Sequence, residues 1–189
     1  MCHALLQNPN FFQLLLSIDI ELAAQAHAAG CLCGGRLHRA NYPRQPRGCP
    51  AEVLANFELR FSFCCNYCRK RNTSVSVRFL GRRVYLGLAV VLMSARRTEV
   101  SGTVAQMSEA MGIPVRTIQR WRSWWAGQFP LTPLWQASCA RFMPPVDLRL
   151  LPTSLAERFT GSIEKSMQLF LCFISPLTVG YPRTLNEGC

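Results

Sequence analysis

Cys31-Leu-Cys33 and Cys65-Asn-Tyr-Cys68 are the residues of this chain whose type and spacing define a chemistry. Two thiol pairs on short knuckles, a few dozen residues apart, form the ligand set of a tetrahedral zinc site. Thiolate is a soft ligand, and four of them close the coordination sphere with no position left for substrate. The expected ligands are Cys31, Cys33, Cys65 and Cys68, and the expected ion is Zn2+. Its expected role is to staple a small sheet that buries too little apolar area by itself. Cys64 offers a wider spacing to Cys68, and His38 follows Cys33 at some distance. Cys65 gives the tighter Cys-x-x-Cys knuckle and is preferred.

A second constellation follows from residue 103. Thr103-Val-Ala-Gln106 is a capping-box pattern, Gly112 ends that helix, and Pro114 starts another that runs to about Phe129. With Gly112 at the turn of a helix-turn-helix, the buried positions fall on Met107, Met111, Ile113, Ile118 and Trp121, all apolar. The close-packing position falls on Ser108, which is small. The outward positions of the second helix fall on Arg116, Thr117, Gln119, Arg120 and Ser123, side chains suited to reading base edges in a major groove. No acid occurs between residues 110 and 146 to repel a duplex. Of Trp124 and Trp125, one is expected in the core.

Catalytic chemistry finds little support. A two-metal nuclease or strand-transfer site needs clustered carboxylates. The ten acids are scattered, and only Asp19 and Asp147 are aspartates. The three histidines (His3, His27, His38) form no paired motif. No phosphate-binding glycine loop or recognisable nucleophile context occurs. The expectation is a binding protein, not an enzyme.

Charge supports a polyanionic partner. All but two (Lys70, Lys165) of the 21 basic residues are arginine, whose planar fork suits phosphates and guanine edges. Residues 36–97 hold 13 basic side chains against two acids (Glu52, Glu58), an excess equal to the whole formal net charge of +11. Phosphate contacts are expected from Arg44, Arg47, Arg69, Lys70, Arg71, Arg82 and Arg83. These arginines do not share one amphipathic helix, which disfavours an anionic membrane surface. No stretch approaches the roughly 20 apolar residues that span a bilayer. Ten cysteines in 189 residues can also mean a secreted disulfide scaffold. Asp19 and Glu21 interrupt the apolar N-terminal run, however, and no positive region precedes it. The expected setting is reduced and cytoplasmic, with Cys2, Cys139, Cys172 and Cys189 as ordinary thiols.

The elements that must position these groups follow from periodicity. Residues 11–29 read as one helix ended by Gly30. Residues 40–50 read as an exposed basic loop. Phe57, Leu59, Phe61 and Phe63 alternate with polar residues as in a half-buried strand, and Val75, Val77 and Phe79 alternate again. Residues 84–95 are apolar all round, as in a buried helix. Helical patterns recur near 132–143, 152–160 and 162–174. The fold class expected is α+β: a zinc-ribbon β-hairpin, then a mostly α-helical region with a helix-turn-helix. The segments are an N-terminal helix (1–30), the ribbon with its basic loop (31–81), the helix-turn-helix region (82–129) and C-terminal helices without an assigned role (130–189).

The strings CLCGGRLHRANYPRQPRG, FSFCCNYCRKRNTSVSVRFLGRRVYLG and GIPVRTIQRWRSWW resemble small bacterial proteins encoded in or beside insertion sequences, of the transposase-associated kind. The likeness extends over about residues 19–178. It implies DNA binding in a mobile-element setting and supplies no active site. The zinc-ribbon and helix-turn-helix plan is also similar to the DNA-recognition front of several transposases, with no counterpart here of their catalytic part. The roles implied are an accessory subunit, a self-regulating repressor or a decayed fragment. Duplex DNA is the expected partner, with a transposase subunit and a second copy of the chain as candidate protein partners. Two other readings stay open. The Cys-x-Cys and Cys-x-x-Cys pairs match the zinc-thiolate arrangement of a redox-switched chaperone. Alternatively, residues 36–97 alone act as a nonspecific RNA- or DNA-binding ribbon.

Overall fold

The computed structural model describes residues 2–44, 51–80, 87–95, 108–109 and 112–179. Helices and short antiparallel strands are mixed in one chain, an α+β arrangement. A 3-10 helix, Cys2–Gln7, precedes α1, Pro9–Ala28. Asn8 caps α1 through its side-chain oxygen, which accepts from the Phe11 N–H at 3.2 Å, and Pro9 opens the first turn. Phe11, Leu15, Asp19 and Ala23 recur at four-residue spacing and form its buried stripe. Gly30 (φ +72°) ends the run with a left-handed turn.

Two small sheets follow. Strands β1 (Leu37–Arg39), β4 (Ser62–Cys65) and β5 (Arg71–Thr73) form an antiparallel sheet in the order β1-β4-β5. Strands β2 (Tyr42–Pro43) and β3 (Leu59–Arg60) pair with each other. Two expectations are corrected here. The alternating stretch from Phe57 is not one strand, because Phe57 closes a 3-10 helix, Ala51–Phe57, and strand pairing begins only at Leu59. Arg60 is buried and Leu59 exposed, the reverse of the expected pattern. Nor do Val75, Val77 and Phe79 form a half-buried strand. Ser76, Val77, Arg78 and Phe79 are buried in succession, which a strand with one wet face does not allow. The Asp19 carboxylate organises this segment instead. It accepts the Ser76 hydroxyl, the Val77 N–H at 2.7 Å and the Arg78 Nε–H at 2.7 Å.

Helix α2, Gly87–Ser94, is buried along its entire length. Its first residue donates its N–H to the Arg78 carbonyl at 2.7 Å. A Cβ on Gly87 would lie 3.3 Å from the Val77 carbonyl oxygen and 3.5 Å from Leu171, so glycine permits this close approach. After Gly112 come α3 (Val115–Gly127), α4 (Pro133–Ser138), α5 (Thr153–Ala156) and α6 (Ile163–Ile174). Met167, Phe170, Leu171 and Ile174 give α6 its buried face. Rings connect α3 to this C-terminal part: Trp125 packs on Phe129 (centroids 4.8 Å) and Phe170 (6.2 Å), and Phe129 packs on Trp135 (5.4 Å). Trp125 is thus the core tryptophan, while Trp124 is half-buried. The larger apolar cluster draws residues from all four expected segments, from Leu5 to Ile174. Among the described residues no helix is long and apolar enough to cross a membrane.

Candidate metal centre

A separate, smaller cluster surrounds the paired cysteines. Ala23 and Ala26 of α1, Leu37, Phe61 and Phe63 pack with Cys31, Cys65 and Cys68. The α1 stripe that carries Asp19 therefore continues into the wall of this centre. The first knuckle begins where Gly30 turns the chain. Gly34 (φ +79°) then donates its N–H to the Cys31 carbonyl at 2.8 Å and closes the turn. Gly35 answers a different constraint. A Cβ there would lie 2.5 Å from Cys65 Sγ and 2.7 Å from Tyr67 Cβ, so only glycine lets the two knuckles meet.

Register places the second knuckle opposite the first. Leu37 pairs with Cys65 and His38 with Cys64. Side chains alternate across a strand, so Cys65 shares the inner face with Leu37 while Cys64 and His38 take the other. The preference for Cys65 over Cys64 thus has a structural basis: Cys64 Sγ lies 3.5 Å from the Arg69 carbonyl, apart from the cluster. The Asn66 side chain accepts the Arg36 N–H (2.8 Å), and the Asn66 N–H reaches the Arg36 carbonyl (3.0 Å). Arg69 adopts a left-handed φ of +59°, which returns the chain to β5.

The four sulfur atoms of Cys31, Cys33, Cys65 and Cys68 lie within 4.8 Å of one another. Cys33 is 3.4 Å from Cys31 and 3.5 Å from Cys65, and Cys31 is 3.6 Å from Cys68. These are not disulfides. A tetrahedron with metal–sulfur bonds of about 2.3 Å has edges of about 3.8 Å, so the set can enclose one metal ion with small adjustment. The Tyr67 N–H donates to Cys65 Sγ at 3.4 Å, an amide–sulfur contact of the kind that orients a metal ligand. Among the described residues this is the one group of histidines, cysteines and carboxylates able to hold a metal.

The thiols differ in acidity. The backbone N–H of Gly35, then the neighbouring Cys31 side chain, pull Cys33 down to about 6. At Cys31 the Cys33 amide favours the thiolate, but the adjoining thiols of Cys33 and Cys68 outweigh it, and the group is pushed up to about 12. Four sulfurs this close cannot all carry charge unaided, and a bound dication removes that conflict.

The cationic residues separate into three groups. Arg36, Arg39, Arg69 and Lys70 are exposed around the centre. Arg44 and Arg71 flank the Tyr42 ring at 5.3 and 5.4 Å, and Arg71 also donates to the Ala40 carbonyl at 2.6 Å. Arg60 and Arg78, two of the 13 basic side chains of residues 36–97, are buried and so add nothing to a phosphate-binding surface. Arg78 neutralises Asp19, and burial lowers the Arg60 pKa from its ordinary value. Arg47, Arg82 and Arg83 lie outside the described residues, as do Met107, Met111 and most of the helix expected from Thr103.

Along α3, Arg116, Gln119, Arg120 and Ser123 are exposed, while Ile118 and Trp125 are fully buried and Trp121 is half-buried. Thr117 requires a correction. It is buried at 9 % exposure, because four-residue steps place it in one row with Trp121 and Trp125. Gly112 (φ +59°) provides the turn before α3, and the Ile113 N–H donates to the Ser108 carbonyl at 2.9 Å. Ser108 also donates its hydroxyl to the Ile113 carbonyl. The buried network of Asp19, Ser76 and Arg78 is absent from the sequence reading. Its signal was available, since a carboxylate on the apolar four-residue stripe of a helix requires a buried partner. The chain gives no significant match to any protein-family model, curated protein or solved structure.

Proposed function

We propose that this chain is a zinc-stabilised DNA-binding protein of a mobile element, an accessory or regulatory protein rather than an enzyme. The observation that carries the reading is the division of α3 into two faces. Arg116, Gln119, Arg120 and Ser123 face outward, and Ile118 and Trp125 fix the helix to the core behind a left-handed turn at Gly112. In this reading the turn and α3 form a helix-turn-helix, and α3 lies in the major groove of duplex DNA. Arginine and glutamine there offer the paired donors and acceptors that match guanine and adenine edges.

The cysteine-bearing sheet serves as a zinc ribbon, with Zn2+ on Cys31, Cys33, Cys65 and Cys68. Thiolate chemistry and sulfur spacing support zinc, and a four-thiolate ion keeps no open position for catalysis. Arg36, Arg39, Arg69 and Lys70 add sequence-independent attraction for phosphates. The mobile-element setting rests on the likeness of residues 31–48, 61–87 and 112–125 to transposase-associated proteins.

Duplex binding by the zinc-loaded chain, measured by fluorescence anisotropy over a range of salt, tests the reading. Affinity should fall steeply with salt, each neutralised phosphate adding roughly −0.9 to the log–log slope. The Arg69→Ala/Lys70→Ala double variant should weaken binding on every sequence alike and flatten the slope. A salt-independent affinity contradicts the phosphate role.

A further inference from the structure

The tips of the two knuckles carry side chains that the metal centre does not use. Leu32 stands between ligands Cys31 and Cys33 and is fully exposed; Tyr67 stands between Cys65 and Cys68 and is 79 % exposed. The backbones beneath them are fixed by the sulfur cluster, by the turn at Gly34 and by the Asn66–Arg36 pairing. The Tyr67 ring and hydroxyl have no partner among the described residues, whereas the Tyr42 ring is already covered by Arg44 and Arg71. Among the described residues Leu32 and Tyr67 are the two most exposed large apolar side chains, so both are open to a ligand.

Charge identifies the ligand. Arg36, Arg69 and Lys70 are exposed beside the knuckle tips, and residues 31–44 and 61–80 contain no acid. A flat apolar face joined to negative charge is the chemistry of an unstacked base on its phosphate backbone. Tyrosine stacks on any base, and flanking cations hold the phosphates. A base inside an intact duplex has no free face to offer, so the surface fits unpaired strand.

We infer that Leu32 and Tyr67 form a platform for an unpaired base of single-stranded DNA, with Arg36, Arg69 and Lys70 holding the adjoining phosphates. This rests on the DNA-binding reading and adds to it: α3 takes the duplex, and the knuckle tips take unpaired nucleotides.

The test compares the zinc-loaded chain on three fluorescent probes: a blunt duplex, the same duplex with a single-stranded thymidine tail, and the same duplex with a uridine RNA tail. The DNA tail should raise affinity about tenfold or more, the size of one base stack. Tyr67→Ala should abolish that gain while keeping zinc content and blunt-duplex affinity. Tyr67→Phe should retain the gain, because the ring and not the hydroxyl stacks. Leu32→Ala should reduce it. Equal affinity of wild type for blunt and tailed duplex overturns the inference and leaves the α3 reading standing. Loss of blunt-duplex binding alone, with tail binding intact, overturns the α3 reading and supports the platform. A preference for the RNA tail that disappears in Tyr67→Ala overturns the assignment to DNA.

Discussion

Replacing Asp19 with alanine is expected to cost about 3–5 kcal/mol of folding stability, the usual consequence of breaking a buried ion pair from one side. Both partners have fully buried side chains, and the Arg78 Nε–Asp19 Oδ2 distance is 2.7 Å. With Asp19 removed, Arg78 keeps the Asn56 carbonyl (3.0 Å) and the Leu59 carbonyl (3.1 Å). It also keeps contacts over the rings of Phe57, Phe61 and Phe79 at 4.8–5.2 Å. None of these carries a full negative charge, so a buried guanidinium is left uncompensated. The Val77 N–H and the Ser76 hydroxyl lose their acceptors as well. Asp19→Asn preserves shape and separates charge from packing. Its amide offers one acceptor atom where the carboxylate offered two, so one donor must face a donor, and the variant should recover only part of the loss. The domain total is of order 5–15 kcal/mol, so either change removes a large share. Urea unfolding of the zinc-loaded protein, followed by tryptophan fluorescence, should show a lowered midpoint with an unchanged slope. An Asp19→Asn variant within about 0.5 kcal/mol of wild type, the range of an ordinary surface substitution, would refute the reasoning.

Other expectations concern the centre and its neighbours. Gly35→Ala drives a methyl group against Cys65 Sγ and Tyr67; it should cost about 1–3 kcal/mol and be seen as weaker zinc retention against a chelator. Gly34→Ala meets no atom within 4 Å, so it should cost only the backbone strain of about 1–2 kcal/mol. Cys65→Ser should abolish stoichiometric metal in elemental analysis, whereas Cys64→Ser, on the opposite strand face, should retain it. Arg60→Met removes a desolvated charge whose Nη1 has no partner but also the Nη2 donor of the Ser74 carbonyl. These are opposing effects of about 1–3 kcal/mol each, so the net change in the same urea assay should be small. Metal affinity should fall as pH drops from 9 to 6 in a chelator titration. Protons compete with the metal for the thiolates, and Cys33, pulled down to about 6, is the last of the shifted thiols to protonate.

Local patterns were legible in the sequence to the extent that local physics decides them. The helix read at 11–29 is α1, Pro9–Ala28, because an asparagine cap, a proline and a four-residue stripe all lie within it. The paired cysteines meet because tight turns of the chain bring each pair together. The Gly112 turn and the start of α3 were set by glycine and proline. Long-range pairing was not legible. Alternation at Val75–Phe79 looks like a strand, but the donors of that segment go to a carboxylate nearly 60 residues earlier. Arg60 and Arg78 counted as surface charge because a composition reading cannot tell a paired buried arginine from a solvated one. Thr117 was placed outward by the register that sets Gly112 at the turn, while its helical row with Trp121 and Trp125 turns it inward.

The central claim is that α3 reads DNA sequence through its outward face. A binding selection from random duplexes, run in parallel on zinc-loaded wild type and Arg120→Ala, tests it most directly. Wild type should enrich a defined site. Arg120→Ala should lose about 1–3 kcal/mol at that site, relax one base position and change little on random DNA. Enrichment of no sequence by wild type, or the same site with the same affinity from Arg120→Ala, would contradict the account.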